Sequence, residues 1–291
     1  LRCLVGSEMC IRDSVLTVID DDNNFGVCTA SVTIEDDEAP VAQCQNHTIE
    51  LDINGNGVLT VADVDGGSSD NCGYTATLSS TIYGCDDVGF DVVTLTLTDN
   101  SGNTSNCPAI VSVEDNMVPL AFCNDITVQL DSVGNAGITS SDIDGGSFDN
   151  CGLDDVTISQ EDFDCADAGA NAVVLTATDA TGNIGTCESI VHINEDEDPV
   201  AVCQDITVDL EDNGSVTIDG SDIDGGSTDN CGITEWTASP ATFGCTDTTD
   251  NSVVLTVEDG SGNSDFCLAT VTVEDNIAPV AACQNITVEL D

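Results

Sequence analysis

The sequence predicts an all-β protein: tandem β-sandwich repeats of about 80 residues, stacked head to tail. Three observations lead there. One pattern recurs at a fixed period, apolar and polar residues alternate within it as in half-buried strands, and the intervening segments are short and rich in Gly, Asn and Asp.

The period is read from four aligned segments: PVAQCQNHTIELD from Pro40, PLAFCNDITVQLD from Pro119, PVAVCQDITVDLED from Pro199 and PVAACQNITVELD from Pro279, spaced 79, 80 and 80 residues apart. Each complete unit continues with DVDGGSSDNCG, DIDGGSFDNCG or DIDGGSTDNCG, and then with TDNSGN, TDATGN or EDGSGN. Three whole repeats follow, over 38–116, 117–196 and 197–276. Residues 15–37 match the C-terminal part of a preceding repeat and 277–291 begin the next, so the chain reads as an excerpt of a longer array. Residues 1–14 (LRCLVGSEMCIRDS) fit no repeat and are expected to be an artefactual leader without a structural role.

Within a repeat, taking the first as the example, VAQCQNHTIELD is strand A and NGNG a turn. GVLTVAD is strand B, YTATLSS strand C, DVVTLTLTD strand F and AIVSVED strand G. Short strands between such turns, without helical periodicity, indicate a sandwich. Strand parity sets the geometry. With A running down, B runs up, C down, F up and G down, so the chain enters at the top and leaves at the bottom. The B–C loop, the F–G loop and the entering linker (EDDEAP, EDNMVP, NEDEDP or EDNIAP) then share the top of each repeat.

Charge narrows the function. The chain carries 55 acids against two basic residues, Arg2 and Arg12, for a formal charge of −53. Nucleic-acid binding, which needs cations to displace counterions, is excluded, as is lysine-based catalysis. Attachment to anionic membranes is disfavoured, and no segment has the ~20 apolar residues of a membrane span. Charge of this size accompanies disorder, yet 40% of residues are hydrophobic and 16 are Cys. That combination describes a folded chain in an oxidising, extracellular compartment, with metal cations in place of basic side chains.

Each whole repeat has four cysteines. Their placement on the strands favours Cys44–Cys107 and Cys72–Cys85, Cys123–Cys187 and Cys151–Cys165, and Cys203–Cys267 and Cys231–Cys245. The rival pairing, Cys107–Cys123, crosses a junction and leaves no orphan at Cys28 or Cys283. It would require the chain to fold back over the ~20 Å that strand G descends, at ~3.3 Å per residue.

The combination DNxAPVAxCQNITVxLD, DIDGGSxDNCG and VVLTxTDxxGNxxxCxAxVxVED resembles the hyalin-repeat-like modules of large surface and secreted proteins of Bacteroidetes-type bacteria, over residues 15–291. The resemblance implies an immunoglobulin-like sandwich, an extracellular or bacterial cell-surface location and an adhesive or structural role.

The acidic segments nominate calcium, which takes six to eight hard oxygens. At the first junction the candidates are Glu35, Asp36, Asp37, Asp65, Asp70, Asn71, Asp99 and Asn103. At the second they are Glu114, Asp115, Asp144, Asp149, Asn150, Asp179 and Asn183. At the third they are Glu195, Asp196, Asp224, Asp229, Asn230, Asp259 and Asn263, and Glu274 and Asp275 begin a fourth. The arrangement is similar to that of cadherins, where an acidic linker and flanking loops bind calcium. The competing reading makes these residues ordinary turn formers; the charge balance favours a cation, because clustered carboxylates without basic partners repel. DINGNGVLTVAD (52–63) has EF-hand-like spacing but no flanking helices, and is read as the A–B turn.

No CxxC, GxSxG or recurring Cys/His pair is present, His47 and His192 occupy non-equivalent positions, and Trp236 stands alone. No enzyme is expected. The sequence predicts a structural array, as fibre, stalk or adhesin shaft, that assembles end to end, stiffened by calcium at the junctions and by disulfides. The alternatives are glycan- or surface-binding adhesin modules and a non-catalytic spacer of a secreted enzyme.

Overall fold

In the computed structural model of the chain, residues 10–289 are described, and strand dominates: 51% strand and 6% helix. Contacts divide the chain into two compact units. One holds residues up to Ala121 with Ser147–Val156 and Ala177–Gly185; the other holds Phe122–Gly146, Thr157–Thr176 and the chain from Thr186 onward. The division cuts through the second repeat rather than between repeats.

The first strands, β1 (Cys10–Ile19) and β2 (Phe25–Ile34), form an antiparallel hairpin. Its turn is tied by Asp20, whose carboxylate accepts the backbone N–H groups of Asp22 and Asn24. Residues 1–9 of the leader lie outside the described residues, whereas 10–14 open β1. Six strands then recur three times: β3 (His47–Glu50), β4 (Asn56–Val58), β5 (Tyr74–Leu78), β6 (Ile82–Gly84), β7 (Gly89–Asp99) and β8 (Thr104–Glu114). The second set is β9 (Ile126–Gln129), β10 (Asn135–Gly137), β11 (Leu153–Ile158), β12 (Asp162–Asp164), β13 (Gly169–Asp179) and β14 (Ile184–Asn194). The third is β15 (Ile206–Asp209), β16 (Ser215–Thr217), β17 (Ile233–Ser239), β18 (Thr242–Gly244), β19 (Asp250–Asp259) and β20 (Ser264–Glu274).

Each set makes a four-stranded sheet, ordered β3-β8-β7-β5 in the first and β15-β20-β19-β17 in the third, faced by a two-stranded sheet, β4-β6 or β16-β18. The strand order β11-β13-β14-β9 and the pair β10-β12 repeat this in the second. Strands A and G pair in parallel, His47 beside Val111 and Ile206 beside Val271, whereas F pairs antiparallel with both G and C. These are the directions that strand parity predicts.

Period-2 alternation builds the core. Along β7, Val93, Leu95 and Leu97 are buried while Thr94, Thr96 and Thr98 face outward; along β8, Ala109, Val111 and Val113 are buried. The small sheet adds Tyr83 against Ile49, Leu51, Leu59 and Val64. In the third repeat the equivalents are Val253, Leu255 and Val257, Ala269, Val271 and Val273, and Phe243.

Two elements differ from expectation. Strand B stops at Val58, and a helical turn, α1 (Val61–Val64), takes the place of its second half. Thr60 causes this: its backbone N–H and hydroxyl both donate to Asp63 Oδ2, at 2.7 and 2.6 Å, a local bond that competes with strand pairing. The same bonds recur from Thr139 to Asp142 before α2 (Ser140–Ile143). The predicted pairing Cys72–Cys85 also requires strand C to turn back after Leu78, and it does not. It crosses to the small sheet and continues downward as β6, antiparallel to β4.

Two outcomes follow. Leu95→Ala should lower unfolding stability by about 2–5 kcal/mol through the cavity it leaves, whereas Thr96→Ala beside it should cost under about 1 kcal/mol in denaturant melts. The hydroxyl of Thr60, and next its backbone N–H, hold the Asp63 carboxyl below its ordinary value of 3.8. The cap is therefore intact above that value and is lost as pH falls through the lower folded value; the Thr60 amide resonance should report this in an acid titration.

Candidate metal centre at the repeat junctions

The alternation that builds the core also places its acids. The inward row of β7 ends, after Leu97, on Asp99; that of β13 ends on Asp179 and that of β19 on Asp259. The inward rows of the G strands run on past the strand ends to Asp115 and Glu195. All five carboxylates are buried: Asp99 is 6% exposed, Asp115 4%, Asp179 2%, Glu195 8% and Asp259 3%.

G strands end at the bottom of one repeat and F strands at the top of the next. In the first compact unit, Asp115 thus meets Asp179 and the loop residue Asp149, with a carboxylate oxygen from each within 4.8 Å of the other two. In the second unit Glu195, Asp229 and Asp259 meet at the same spacing. Among the described residues no third group is that tight. Asp36, Asp70 and Asp99 hold the equivalent positions at the first junction, where Asn103 Nδ2 donates to the Asp36 carbonyl at 2.8 Å.

Hydrogen bonds fix these groups without neutralising them. Asp179 Oδ1 accepts the backbone N–H groups of Thr181 and Asn183, and Oδ2 accepts Asn183 Nδ2 at 2.8 Å. Burial pulls the Asp179 carboxyl up, but the bonds from Asn183 and Thr181 together outweigh it and leave it below the ordinary carboxylate value. Asp259 is lowered by the same balance, with bonds from Asn263, Ser261 and Gly262. Asp149 and Asp229 each accept the backbone N–H of the following cysteine, Cys151 at 2.9 Å and Cys231 at 2.7 Å. Asn150 Nδ2 donates to Asp115 Oδ1 and to the Asp52 carbonyl, both at 3.2 Å.

The oxygens left over point to a cation. Asp115 Oδ2 and Asn150 Oδ1 are buried without a partner, as are Asp229 Oδ1 and Asn230 Oδ1 in the second unit and Asp36 Oδ2 and Asp70 Oδ1 at the first junction. Among the described residues the only basic side chain within 4 Å of a carboxylate is His47, 3.9 Å from Asp63 and away from these groups. At an effective dielectric of ~20, two carboxylates ~4.8 Å apart repel by about 3–4 kcal/mol. Orphaned buried oxygens add to that cost. A divalent cation accepting carboxylate and amide oxygens relieves both, so the residues present fit one.

Several predicted ligands sit elsewhere. Asp65, Asp144 and Asp224 each point Oδ1 at the backbone N–H two residues on, closing the DGGS turn. Glu35, Asp37, Glu114, Asp196 and Glu274 are exposed. Glu114 and Asp196 are adjacent to buried Asp115 and Glu195, and alternation turns neighbours to opposite faces. Asp275 is also exposed and accepts the backbone N–H of Ile277. Asn103, Asn183 and Asn263 face the cluster with their amide nitrogens and so act as braces. Asn71 donates to Glu38, outside the predicted set. Thr181, also outside it, donates to the Asp115 carbonyl at 3.2 Å.

The disulfides divide similarly. Cys44–Cys107, Cys123–Cys187 and Cys203–Cys267 are formed, each with Cα atoms 5.8 Å apart. Cys72–Cys85, Cys151–Cys165 and Cys231–Cys245 are not: Cys85 bridges Cys151, and Cys165 bridges Cys231. The reason is the continuation of strand C through β6. It carries Cys85 to the far end of its repeat from Cys72, where the next repeat's B–C loop presents Cys151. Each bridge closes a loop of 63–66 residues, contributing roughly 4 kcal/mol on the chain-entropy account. Gly55 makes the approach feasible: its φ is +72°, and a Cβ there would sit 2.5 Å from Cys85 Sγ and 2.9 Å from the Asn150 carbonyl. Gly134 repeats this against Cys165 and Asn230.

No family model matches the chain, and no curated protein does. Among solved structures it is similar to the EC22-24 fragment of mouse cadherin-23, with 11% identity, a TM-score of 0.33 and coverage of 82% of this chain and 100% of that one. It is similar to an I-band fragment of titin at 11% identity and a TM-score of 0.35, covering 81% and 99%. It is also similar to the human desmocollin-1 ectodomain at 12% identity and a TM-score of 0.25, covering 89% and 63%. The reading of the junctions therefore rests on the residues of this chain.

Digestion of the unreduced protein with an Asp- or Glu-directed protease should release linked peptides joining Cys85 to Cys151 and Cys165 to Cys231; a Cys72–Cys85 peptide would contradict the strand path. Gly55→Ala should impair closure of the first of these bridges and leave Cys165–Cys231 intact, read by thiol counting after denaturation.

Proposed function

We propose that the chain is part of an extracellular structural array, a fibre, stalk or adhesin shaft, whose repeat junctions are stiffened by calcium. The observation that carries this reading is the convergence of buried, partnerless oxygens on three carboxylates at a junction where no basic side chain is within reach. The donors are all oxygen, carboxylate and amide, which suits a hard cation and not zinc. Asp115, Asp149, Asn150 and Asp179 would hold one ion, and Glu195, Asp229, Asn230 and Asp259 another. The ion supplies positive charge where the linker, the B–C loop and the F–G loop meet, so its binding free energy opposes bending there.

Five disulfides support an oxidising location outside the cytoplasm. Repeats of one period that keep the same cysteine spacing and loop motifs favour a shaft, since each supplies the same lengthening unit, and end-to-end association of such units is the expected mode of assembly. The motif resemblance to hyalin-repeat-like modules favours a location at the surface of a Bacteroidetes-type bacterium.

Calorimetric titration should show calcium binding in the 10⁻⁴–10⁻³ M range typical of extracellular modules. Asp149→Asn keeps the shape and removes one charge. Affinity at that junction should fall about tenfold, or 1.4 kcal/mol. In chelator the variant should melt at or slightly above the parent temperature, because repulsion is relieved, and below it in excess calcium. Equal affinity in variant and parent would remove Asp149 from the site.

A further inference from the structure

We infer that each junction disulfide and the neighbouring cation site are thermodynamically coupled, so that reduction of the bridge weakens cation binding and a bound cation protects the bridge from reduction. The inference rests on the calcium reading above and concerns the regulation of that site.

The coupling is built into three consecutive residues. Asp149 and Asn150 carry oxygens of the acid cluster, and Cys151 carries the bridge. The Cys151 backbone N–H orients Asp149 Oδ2 at 2.9 Å. The Asn150 carbonyl lies 3.6 Å from Cys85 Sγ, and its side-chain amide reaches back to the Asp52 carbonyl and to Asp115 Oδ1. A covalent bond therefore clamps the ligand-bearing loop of one repeat onto the base of the repeat before it, one residue from the ligands. The second unit repeats the arrangement. Cys231 N–H donates to Asp229 Oδ2 at 2.7 Å, the Asn230 carbonyl lies 3.7 Å from Cys165 Sγ, and Asn230 Nδ2 reaches the Asp131 carbonyl at 3.1 Å. Cys44–Cys107, Cys123–Cys187 and Cys203–Cys267 join strands within a repeat, and none of these cysteines adjoins a cluster residue in sequence.

A dithiol reductant supplies the chemistry. It transfers two electrons and two protons to the disulfide, which becomes two thiols, while the dithiol closes to a cyclic disulfide. The clamp is then gone, and the carboxylates it held together repel. A cation must now order the loop as well as bind it, which lowers affinity. Linkage requires the reverse effect to be of equal size.

Two measurements on the full chain test this. The first compares calcium titrations of the oxidised protein and of a Cys85→Ser/Cys151→Ser variant, with circular dichroism to confirm that the strands persist. The first-unit site should weaken about tenfold or more, and the site of Glu195, Asp229 and Asp259 should be unchanged. The second needs no substitution. The protein is equilibrated with graded dithiothreitol in calcium or in chelator, thiols are trapped by alkylation, and each bridge is quantified by peptide mapping. Calcium should raise the dithiothreitol needed to open Cys85–Cys151 and Cys165–Cys231 about tenfold, and leave Cys44–Cys107 unaffected. Calcium binding that is indifferent to the bridge, or bridge opening that is indifferent to calcium, overturns the coupling alone. Absence of calcium binding in the oxidised chain overturns the coupling and the calcium reading together.

Discussion

The structure depends on one constraint: carboxylates stand at the ends of inward-facing strand rows in a chain with almost no basic residues. Alternation puts Val93, Leu95 and Leu97 into the core, and the same alternation leaves Asp99 no choice but the inner face. Asp179, Asp259, Asp115 and Glu195 arrive by the same rule. Hydrophobic burial thereby fixes the direction of charged groups that, alone, would turn to water. Their hydrogen bonds come from neighbouring backbone and from Asn braces, which orient a carboxylate but leave its charge in place. The proposed calcium ion would supply the positive charge that the chain itself lacks there.

This constraint explains why the junction is crowded with devices that would be redundant in a simple linker. The A–B turn lends the Asp52 carbonyl, a glycine at positive φ gives room for sulfur, the B–C loop lends Asn150, and a disulfide crosses between repeats. Each holds like charges closer than they would otherwise settle. The compact units of the chain accordingly bring the top loops of the second repeat together with the first, so that contact density follows the junctions as much as the sequence period.

Much of this was legible in the residues. Strand alternation in VVTLTLTD, the parity of the strands and the fixed period predict the sheets and the placing of three acidic segments at one end, and Cys44–Cys107 follows from its position on A and G. Two of the departures share a cause, since each turns on where a strand ends. Thr60 and Asp63 form a local cap that outcompetes strand B, a three-residue pattern easily read as alternation. TIYGC carries a single inward residue, Tyr83, too short a signal for a strand, and missing it placed Cys85 beside Cys72 instead of at the opposite end. Which of two adjacent acids faces inward was recoverable from the alternation of AIVSVED itself, whose inward row of Ala109, Val111 and Val113 continues to Asp115 and passes over Glu114. The turn role of Asp65 was visible in DGGS, where an Asp followed by glycines favours a bond to its own backbone.

Cation occupancy of the carboxylate clusters is open to direct observation. The most direct measurement is an anomalous difference map from crystals of the oxidised chain grown with calcium. One peak is expected among Asp115, Asp149 and Asp179 and another among Glu195, Asp229 and Asp259, each within bonding distance of the neighbouring Asn150 or Asn230 amide oxygen. Clusters filled only by water, with any calcium bound instead at the exposed acids or at the Asp65-type turns, would contradict it.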